Sequence, residues 1–210
     1  MHRLLLAAQL AGTLAVLAWL PGNLPKLAAM IVIGWAGFRP LARRELALAA
    51  AVCALMSAMN VGALRQGVFS FAHPDLLGMP VWEFLMWGFY VLHVIRMVGG
   101  PAPRDRPWVA FGLAIAFAIP FATVSDQGLL LATTAGMLAV AVVVFHEKLD
   151  LAYIGYTIVV GALIEYTGVW SGQWSYPGTP PGGVPLWFVP MWGGVGLFTR
   201  RLALPIARRP

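Results

Sequence analysis

The chain has 210 residues, of which 60% are hydrophobic and 10% are charged, and its formal net charge is +6. Its mean hydropathy of +0.79 is higher than water-soluble domains of this size carry, which excludes a soluble globular protein. The basic residues lie between apolar runs, so the net charge does not indicate a nucleic-acid-binding face. The single cysteine, Cys53, excludes an intrachain disulfide. The composition therefore predicts an integral membrane protein.

Eight apolar runs have about the length that crosses a bilayer and are predicted to form helices. They cover residues 4–20, 24–39, 46–64, 81–99, 107–124, 128–145, 151–170 and 185–201. The second and eighth runs are short or interrupted by glycine and proline, so seven spans with a re-entrant segment are an alternative. We predict an all-α membrane protein with about eight transmembrane helices.

The basic residues predict the orientation of these spans. With eight spans both termini share one side of the membrane, and only Lys26 and Arg65 lie on the other side. The positive-inside rule then predicts a plasma (inner) membrane protein with both termini cytoplasmic and outer loops at about 65–80 and 171–184. The residues on the cytoplasmic side are Arg3, Arg39, Arg43, Arg44, Arg96, Arg104, Arg106, Lys148, Arg200, Arg201, Arg208 and Arg209.

The sequence repeats itself after 105 positions (172 − 67 = 105), because residues 67–96 align with residues 172–201 without a gap. Trp82 and Trp87 recur as Trp187 and Trp192, together with matching glycines, a proline and an arginine. We predict a single membrane domain made of tandem repeats 1–105 and 106–210, in which two four-helix halves run parallel. The first run resembles a secretory signal, but its match to the fifth run favours a retained helix.

Two carboxyl groups, Glu83 and Glu165, lie inside predicted spans, where ionisable side chains are costly and therefore candidates for function. Glu165 lies about two turns before the second outer loop, roughly 10 Å deep at the rise of an α-helix. In the repeat alignment Glu165 matches Asn60 and Glu83 matches Phe188, so the halves differ in their polar groups. Burial in an apolar environment favours the protonated carboxyl, which can act as a general acid.

Aromatic side chains near the two glutamates could present their π faces to a cation. Because Trp and Tyr also collect at membrane interfaces, a structural role is the alternative for each of them. Arg65 could pair with Glu83 or Glu165, or hold an anionic headgroup. The predicted substrate-binding residues are Asn60, Arg65, Trp82, Trp87, Trp170, Trp174, Tyr176, Trp187 and Trp192.

Metal and cofactor chemistry is not indicated by any motif. The histidines lack metal-ligand spacing, and the sequence has no glycine-rich phosphate loop. Lys26 and Lys148 lie near span ends, which argues against a retinal Schiff base within the membrane. We therefore predict neither a metal nor a cofactor.

The segments "GVFSFAHPDLLGMPVWEF" and "EYTGVWSGQWSYP" resemble the integral-membrane carotenoid (lycopene) cyclase domains and the related carotenoid hydratases. The resemblance covers the third, fourth, seventh and eighth runs and their outer loops. Where the cyclase family has paired acidic residues after the proline, this chain has a single Glu83, and Trp187 and Phe188 in its second half. The Trp82-Glu83 pair is also similar to the membrane-bound terpene cyclases of fungal meroterpenoid pathways.

This resemblance implies a cofactor-independent cyclase or hydratase that protonates an alkene of an isoprenoid or carotenoid taken from the bilayer. Glu165 would be the general acid and Glu83 its partner acid or base. The alternative is a non-catalytic transporter of a lipid or small molecule. A third possibility is an assembly subunit whose carboxylates are locked in helix contacts. The expected partners are a hydrophobic substrate and membrane lipids, without nucleic acid.

Overall fold

A computed structural model describes residues 2–103, 105–179 and 182–208, so Arg104 and Arg209 of the predicted cytoplasmic set lie outside the described residues. Eight helices follow one another along the chain. They are α1 (His2–Trp19), α2 (Asn23–Gly37), α3 (Arg43–Arg65), α4 (Glu83–Val98), α5 (Pro107–Thr123), α6 (Gln127–Phe145), α7 (Lys148–Trp170) and α8 (Phe188–Phe198). Helix α8 continues through a π-helical turn (Thr199–Ala203) into a short helix α9 (Leu204–Ala207). The predicted all-α membrane fold with about eight helices is confirmed.

The lengths of the helices and their exposed apolar side chains fit a lipid bilayer. Within the described chain, α3, α6 and α7 are long and apolar enough to cross a bilayer by themselves, and α1 and α5 are slightly shorter apolar helices. Many large apolar side chains are exposed on the outer surface, as expected where the solvent is hydrocarbon. Exposed Trp19 and Trp170 lie at one end of the helices, and exposed Trp108 lies at the other. The protein is an integral membrane protein.

The two halves correspond closely in their helix bounds. Adding 105 to the bounds of α3 (43–65) gives 148–170, which are the bounds of α7, and adding 105 to the first residue of α4 gives the first residue of α8. An ion pair recurs in the same way: Arg96 binds Glu45 at 2.6 Å, and Arg201 binds Asp150 at 2.5 Å. The tandem duplication stays a prediction, which these correspondences support.

A two-stranded sheet joins the halves at one end of the helices, here called the cap side, where the loops 66–82 and 171–187 lie. Strand β1 (Ser70–Phe71) pairs antiparallel with β2 (Trp174–Ser175). Ser70 lies opposite Ser175, its counterpart in the repeat alignment, and the two Oγ atoms are 3.3 Å apart. The sheet therefore holds equivalent positions of the two halves together above the helices.

Charged residues cluster at the end opposite the cap side. Arg200 and Arg201 follow α8 in the π-helical turn and are buried, as is Asp150 in the first turn of α7. Arg200 binds Asp150 and Glu147, both at 2.5 Å, and Arg201 also binds Asp105 at 2.9 Å. Because Asp105 belongs to the segment between the halves, this cluster ties that segment to α7 and to the end of α8. The cytoplasmic location of this end stays a prediction.

Candidate functional site

A cavity of about 50 Å³ lies between the two halves, just below the sheet of the cap side. Since a buried water needs roughly 10–15 Å³ by the same measure, the cavity has room for a few waters or a small polar head, but not for a whole lipid. We call it the central cavity. Its lining residues are Asn60, Phe69, Phe71, Glu83, Trp87, Tyr90, Ile164, Glu165, Trp174, Tyr176, Trp187, Met191 and Trp192.

Glu165 lies in the wall formed by α7 and accepts hydrogen bonds from three aromatic side chains. Trp192 Nε1 donates to Oε1 at 3.0 Å, while Trp174 Nε1 and Tyr176 Oη donate to Oε2 at 3.1 and 2.5 Å. The side chain of Glu165 is buried, and its partners come from α8, from β2 and from the residue that follows β2. Both oxygens of this carboxyl are therefore satisfied by the protein.

Glu83 is the first residue of α4 and uses only one of its oxygens in this way. Asn60 Nδ2 and Trp87 Nε1 donate to Oε1 at 2.8 and 3.0 Å. Trp87 follows Glu83 by one helical turn, so both side chains lie on the same face of α4. Both of these hydrogen bonds go to Oε1, and no described residue donates to Oε2. Glu83 thus leaves one acceptor free at the central cavity.

Equivalent tryptophans of the two halves meet at the back of the cavity. The rings of Trp87 and Trp192 stack with centroids 5.1 Å apart and an interplanar angle of 23°. Tyr90 packs edge-on against both rings. Each tryptophan donates to a glutamate, Trp87 to Glu83 and Trp192 to Glu165. The duplicated motif thus positions two acid–indole pairs around one cavity, although the acids come from different repeat positions.

One indole of the cavity lacks a hydrogen bond. Trp187 is 3% exposed, and its Nε1 is a buried donor without a partner among the described residues. Its repeat counterpart, Trp82, donates to Asn23 Oδ1 at 3.1 Å. Buried donors are nearly always satisfied by protein, water or ligand, so the unpaired Nε1 of Trp187 is a candidate donor to a ligand of the cavity that this residue lines.

The pairing of Trp82 and the lack of pairing of Trp187 predict losses of stability of different size from the same substitution in the ligand-free protein. Trp82→Phe removes a hydrogen bond, while Trp187→Phe removes an N–H group that has none. We expect Trp82→Phe to lower the free energy of unfolding by about 1 kcal/mol more than Trp187→Phe does. Unfolding in detergent mixtures measures this difference, and equal losses would contradict the assigned contacts.

The structure brings together eight of the eleven residues predicted for the site and places three elsewhere. Arg65 is exposed at the cap-side end of α3, and Trp170 is 76% exposed to the bilayer. Trp82 is buried behind the cavity, where it packs edge-on against Phe71. Arg65 and Trp170 are the last residues of α3 and α7, and both side chains are exposed on the outside of the helices.

Five lining residues were not predicted, namely Phe69, Phe71, Tyr90, Ile164 and Met191. Tyr90 could have been predicted from the sequence. It follows Glu83 by seven positions and Trp87 by three, so it shares their helix face. Among the described residues no group of three or more His, Cys, Asp or Glu side chains is arranged to hold a metal ion. The absence of a cofactor stays a prediction.

The fold is similar to that of MvINS, an Insig homologue from Mycobacterium vanbaalenii. One MvINS crystal structure has a TM-score of 0.64 at 21% identity and covers 82% of this chain and 99% of that chain. A second structure, a cross-linked trimer of a cysteine variant, has a TM-score of 0.65 at 20% identity with the same coverage. No protein-family model matches the sequence, and no curated protein sequence matches it. At such identities the match shows a shared fold.

The resemblance to carotenoid cyclases was wrong, and so was the assignment to terpene cyclase or isomerase chemistry that depended on it. Two structures of an Insig homologue share this fold over most of the chain. Aromatic, glycine and proline residues recur wherever helices begin at a membrane interface, so a short motif of this kind specifies a fold poorly. In this chain the motif builds the sheet of the cap side and the first turn of α4.

Proposed function

We propose that this protein binds an amphipathic lipid of the surrounding bilayer without changing it chemically. The polar head of the lipid enters the central cavity, while its chain stays against the apolar outer surface. This is the non-catalytic alternative raised by the sequence, and Glu83 and Glu165 then act as binding groups. The observation that carries the proposal is the unsatisfied indole N–H of Trp187, a residue that lines the central cavity between the two halves.

The unpaired polar groups of the cavity define which hydrogen-bonding groups the lipid head must carry. Trp187 Nε1 needs an acceptor, and Glu83 Oε2 needs a donor. A head group with at least one acceptor oxygen and one donor hydrogen satisfies both groups. The free energy gained from these two hydrogen bonds is large where no bulk water competes. An apolar hydrocarbon would leave both groups unpaired.

The size of the cavity and its border support entry of a head group from the membrane. Three of the lining residues, Asn60, Phe69 and Met191, are only half-buried, whereas the others are buried. The half-buried residues come from α3, α8 and the loop before β1, so they mark the route by which a head could reach the cavity. The solved neighbours are named as an Insig homologue and not as an enzyme, which favours the non-catalytic function.

The orientation of the protein in the membrane is part of the proposal. Basic residues lie at the end opposite the cap side, among them Arg39, Arg43 and Arg96. With this end in the cytoplasm, the central cavity lies in the outer half of the membrane, and its lipid comes from the outer leaflet.

Native mass spectrometry of the protein released from membranes in mild detergent tests the proposed function. We expect a bound lipid whose mass equals that of a lipid in membranes without the protein. Trp187→Phe should reduce the retained fraction by about fivefold, the equivalent of one lost hydrogen bond. Trp170→Phe is the matched control, because Trp170 lies outside the cavity, and it should retain lipid like the unmodified protein.

Two outcomes would contradict the proposal. The first is an unmodified protein that is folded but retains no lipid. The second is a new lipid product that appears only in membranes containing the protein, which would indicate catalysis. Loss of folding in Glu165→Gln with unchanged lipid binding in Trp187→Phe would favour the assembly-subunit alternative instead.

A further inference from the structure

The two buried glutamates are surrounded by donors and lack a positive partner. Five side-chain groups donate to them: Asn60 and Trp87 to Glu83, and Trp174, Tyr176 and Trp192 to Glu165. Among the described side chains, no Lys, Arg or His lies within ion-pair distance of either glutamate. Lys26, a buried cation on α2, is hydrogen-bonded to Gln173.

The kind of donor matters for the charge of this site. An indole N–H can donate but cannot accept, so Trp87, Trp174 and Trp192 each use a carboxyl oxygen of Glu83 or Glu165 as an acceptor. Such donors stabilise a carboxylate more than a carboxylic acid, because hydrogen bonds to an ionised acceptor are about twice as strong as neutral ones. These donors therefore favour an ionised carboxyl in the cavity, although burial alone would favour the protonated form.

Aromatic faces complete a site for a cation. Trp87, Trp192, Tyr90, Trp187 and Tyr176 line the same cavity as the two carboxyl groups. Ring faces attract cations, and the attraction is strongest where water is excluded. The pair of carboxyl groups has aromatic walls and no cation within ion-pair distance among the described side chains. A positively charged group of a ligand would complement such a site.

We infer that the central cavity binds the ammonium group of an amino alcohol, with the ammonium on Glu83 Oε2 and the neighbouring oxygen on Trp187 Nε1. This inference rests on the proposed function and specifies the head group of the ligand. A primary ammonium with an adjacent hydroxyl is small enough for a cavity of about 50 Å³, whereas a phosphate would meet two carboxylates there. The same chemistry occurs in long-chain amino-alcohol lipids and in small water-soluble amines.

Competition binding to the purified protein in lipid nanodiscs tests the inference. The probes are a long-chain amino alcohol and the matching diol of equal chain length, which differ only in an ammonium replaced by a hydroxyl. A third probe, ethanolamine, carries the same head without a chain. We expect the amino alcohol to bind at least about tenfold more tightly than the diol, and Glu83→Gln to remove most of this preference.

The results of these experiments distinguish failure of the inference from failure of the proposed function. Equal binding of amino alcohol and diol would overturn the inference while leaving lipid binding intact. Binding of neither probe, together with no lipid retained in native mass spectrometry, would overturn both. Ethanolamine that binds as tightly as the long-chain amine would assign the site to soluble amines and contradict a lipid ligand. Because the amine-to-diol ratio is measured first on the unmodified protein, the test does not depend on whether Glu83→Gln folds, and Trp170→Phe should leave the ratio unchanged.

Discussion

Replacing Arg201 by leucine is expected to lower the free energy of unfolding by about 3 kcal/mol, the lower end of the loss from a broken buried ion pair, because Asp150 keeps Arg200 as a partner. Arg201 is 3% exposed and donates to Asp150, which is 1% exposed, at 2.5 and 3.0 Å. The substitution also releases Asp105 and Glu147. Reversible unfolding in mixed detergent micelles, followed by circular dichroism, measures the loss.

Arg43→Leu is the matched control for this prediction. Arg43 lies at the same end of the molecule, at the start of α3, but its side chain is exposed. Both variants lose one positive charge, so a difference between them reports burial and pairing and not net charge. We expect Arg43→Leu to stay within about 0.5 kcal/mol of the unmodified protein. Equal losses in the two variants would show that the buried ion pairs do not stabilise the fold.

The second large effect is expected at Gly161, where α7 makes room for a ring of the central cavity. A Cβ atom at this position would lie 2.1 Å from Trp192 Cγ, so the indole must move. Moving it disturbs both the stack on Trp87 and the hydrogen bond to Glu165. We expect Gly161→Ala to cost about 3 kcal/mol of stability, the upper range for overpacking, and to abolish lipid retention.

Gly155→Ala in the same helix provides the control. A Cβ atom there would meet no heavy atom within 4 Å. Because alanine favours the helical state over glycine by about 0.8–1 kcal/mol, we expect this variant to be as stable as the unmodified protein or slightly more stable. Lipid retention should not change. A similar destabilisation by Gly155→Ala and Gly161→Ala would contradict the specific contact with Trp192.

The helices and their membrane location could be predicted from the sequence because they depend on local properties, namely the length of apolar runs and the spacing of turns. The start of α7 shows the limit of this approach. The run was expected to begin at 151, but α7 begins at Lys148, because Asp150 and Arg201 satisfy each other's charge and let the helix extend past the apolar boundary. Such pairing over 51 positions cannot be read from hydropathy.

Most of the central cavity could also be predicted, since two tryptophans recurring at equal spacing in both halves are hard to explain as interface anchors alone. The different roles of Trp82 and Trp187 were harder to predict. The alignment pairs Asn23, the partner of Trp82, with Gly128 (23 + 105 = 128), which has no amide to accept the indole proton. The unpartnered Trp187 therefore had a signal in the sequence, but only the packing shows that Asn23 reaches Trp82.

The wrong prediction of cyclase chemistry had a different cause. A buried acid with aromatic neighbours suits both proton transfer and the binding of a polar or charged head, because both tasks need the same side chains. The identity of neighbouring residues cannot separate them. What separates them is whether an acceptor or donor is left free and how large the cavity is, and both depend on how the two halves pack.

A high-resolution structure of the protein in nanodiscs made from lipids of its own membrane tests the central claim most directly. We predict a lipid head in the central cavity, with an oxygen at about 3 Å from Trp187 Nε1 and a donor at about 3 Å from Glu83 Oε2. Its chain should leave past Asn60, Phe69 and Met191. A cavity that contains only water, with lipids confined to the outer surface of the helices, would contradict the account.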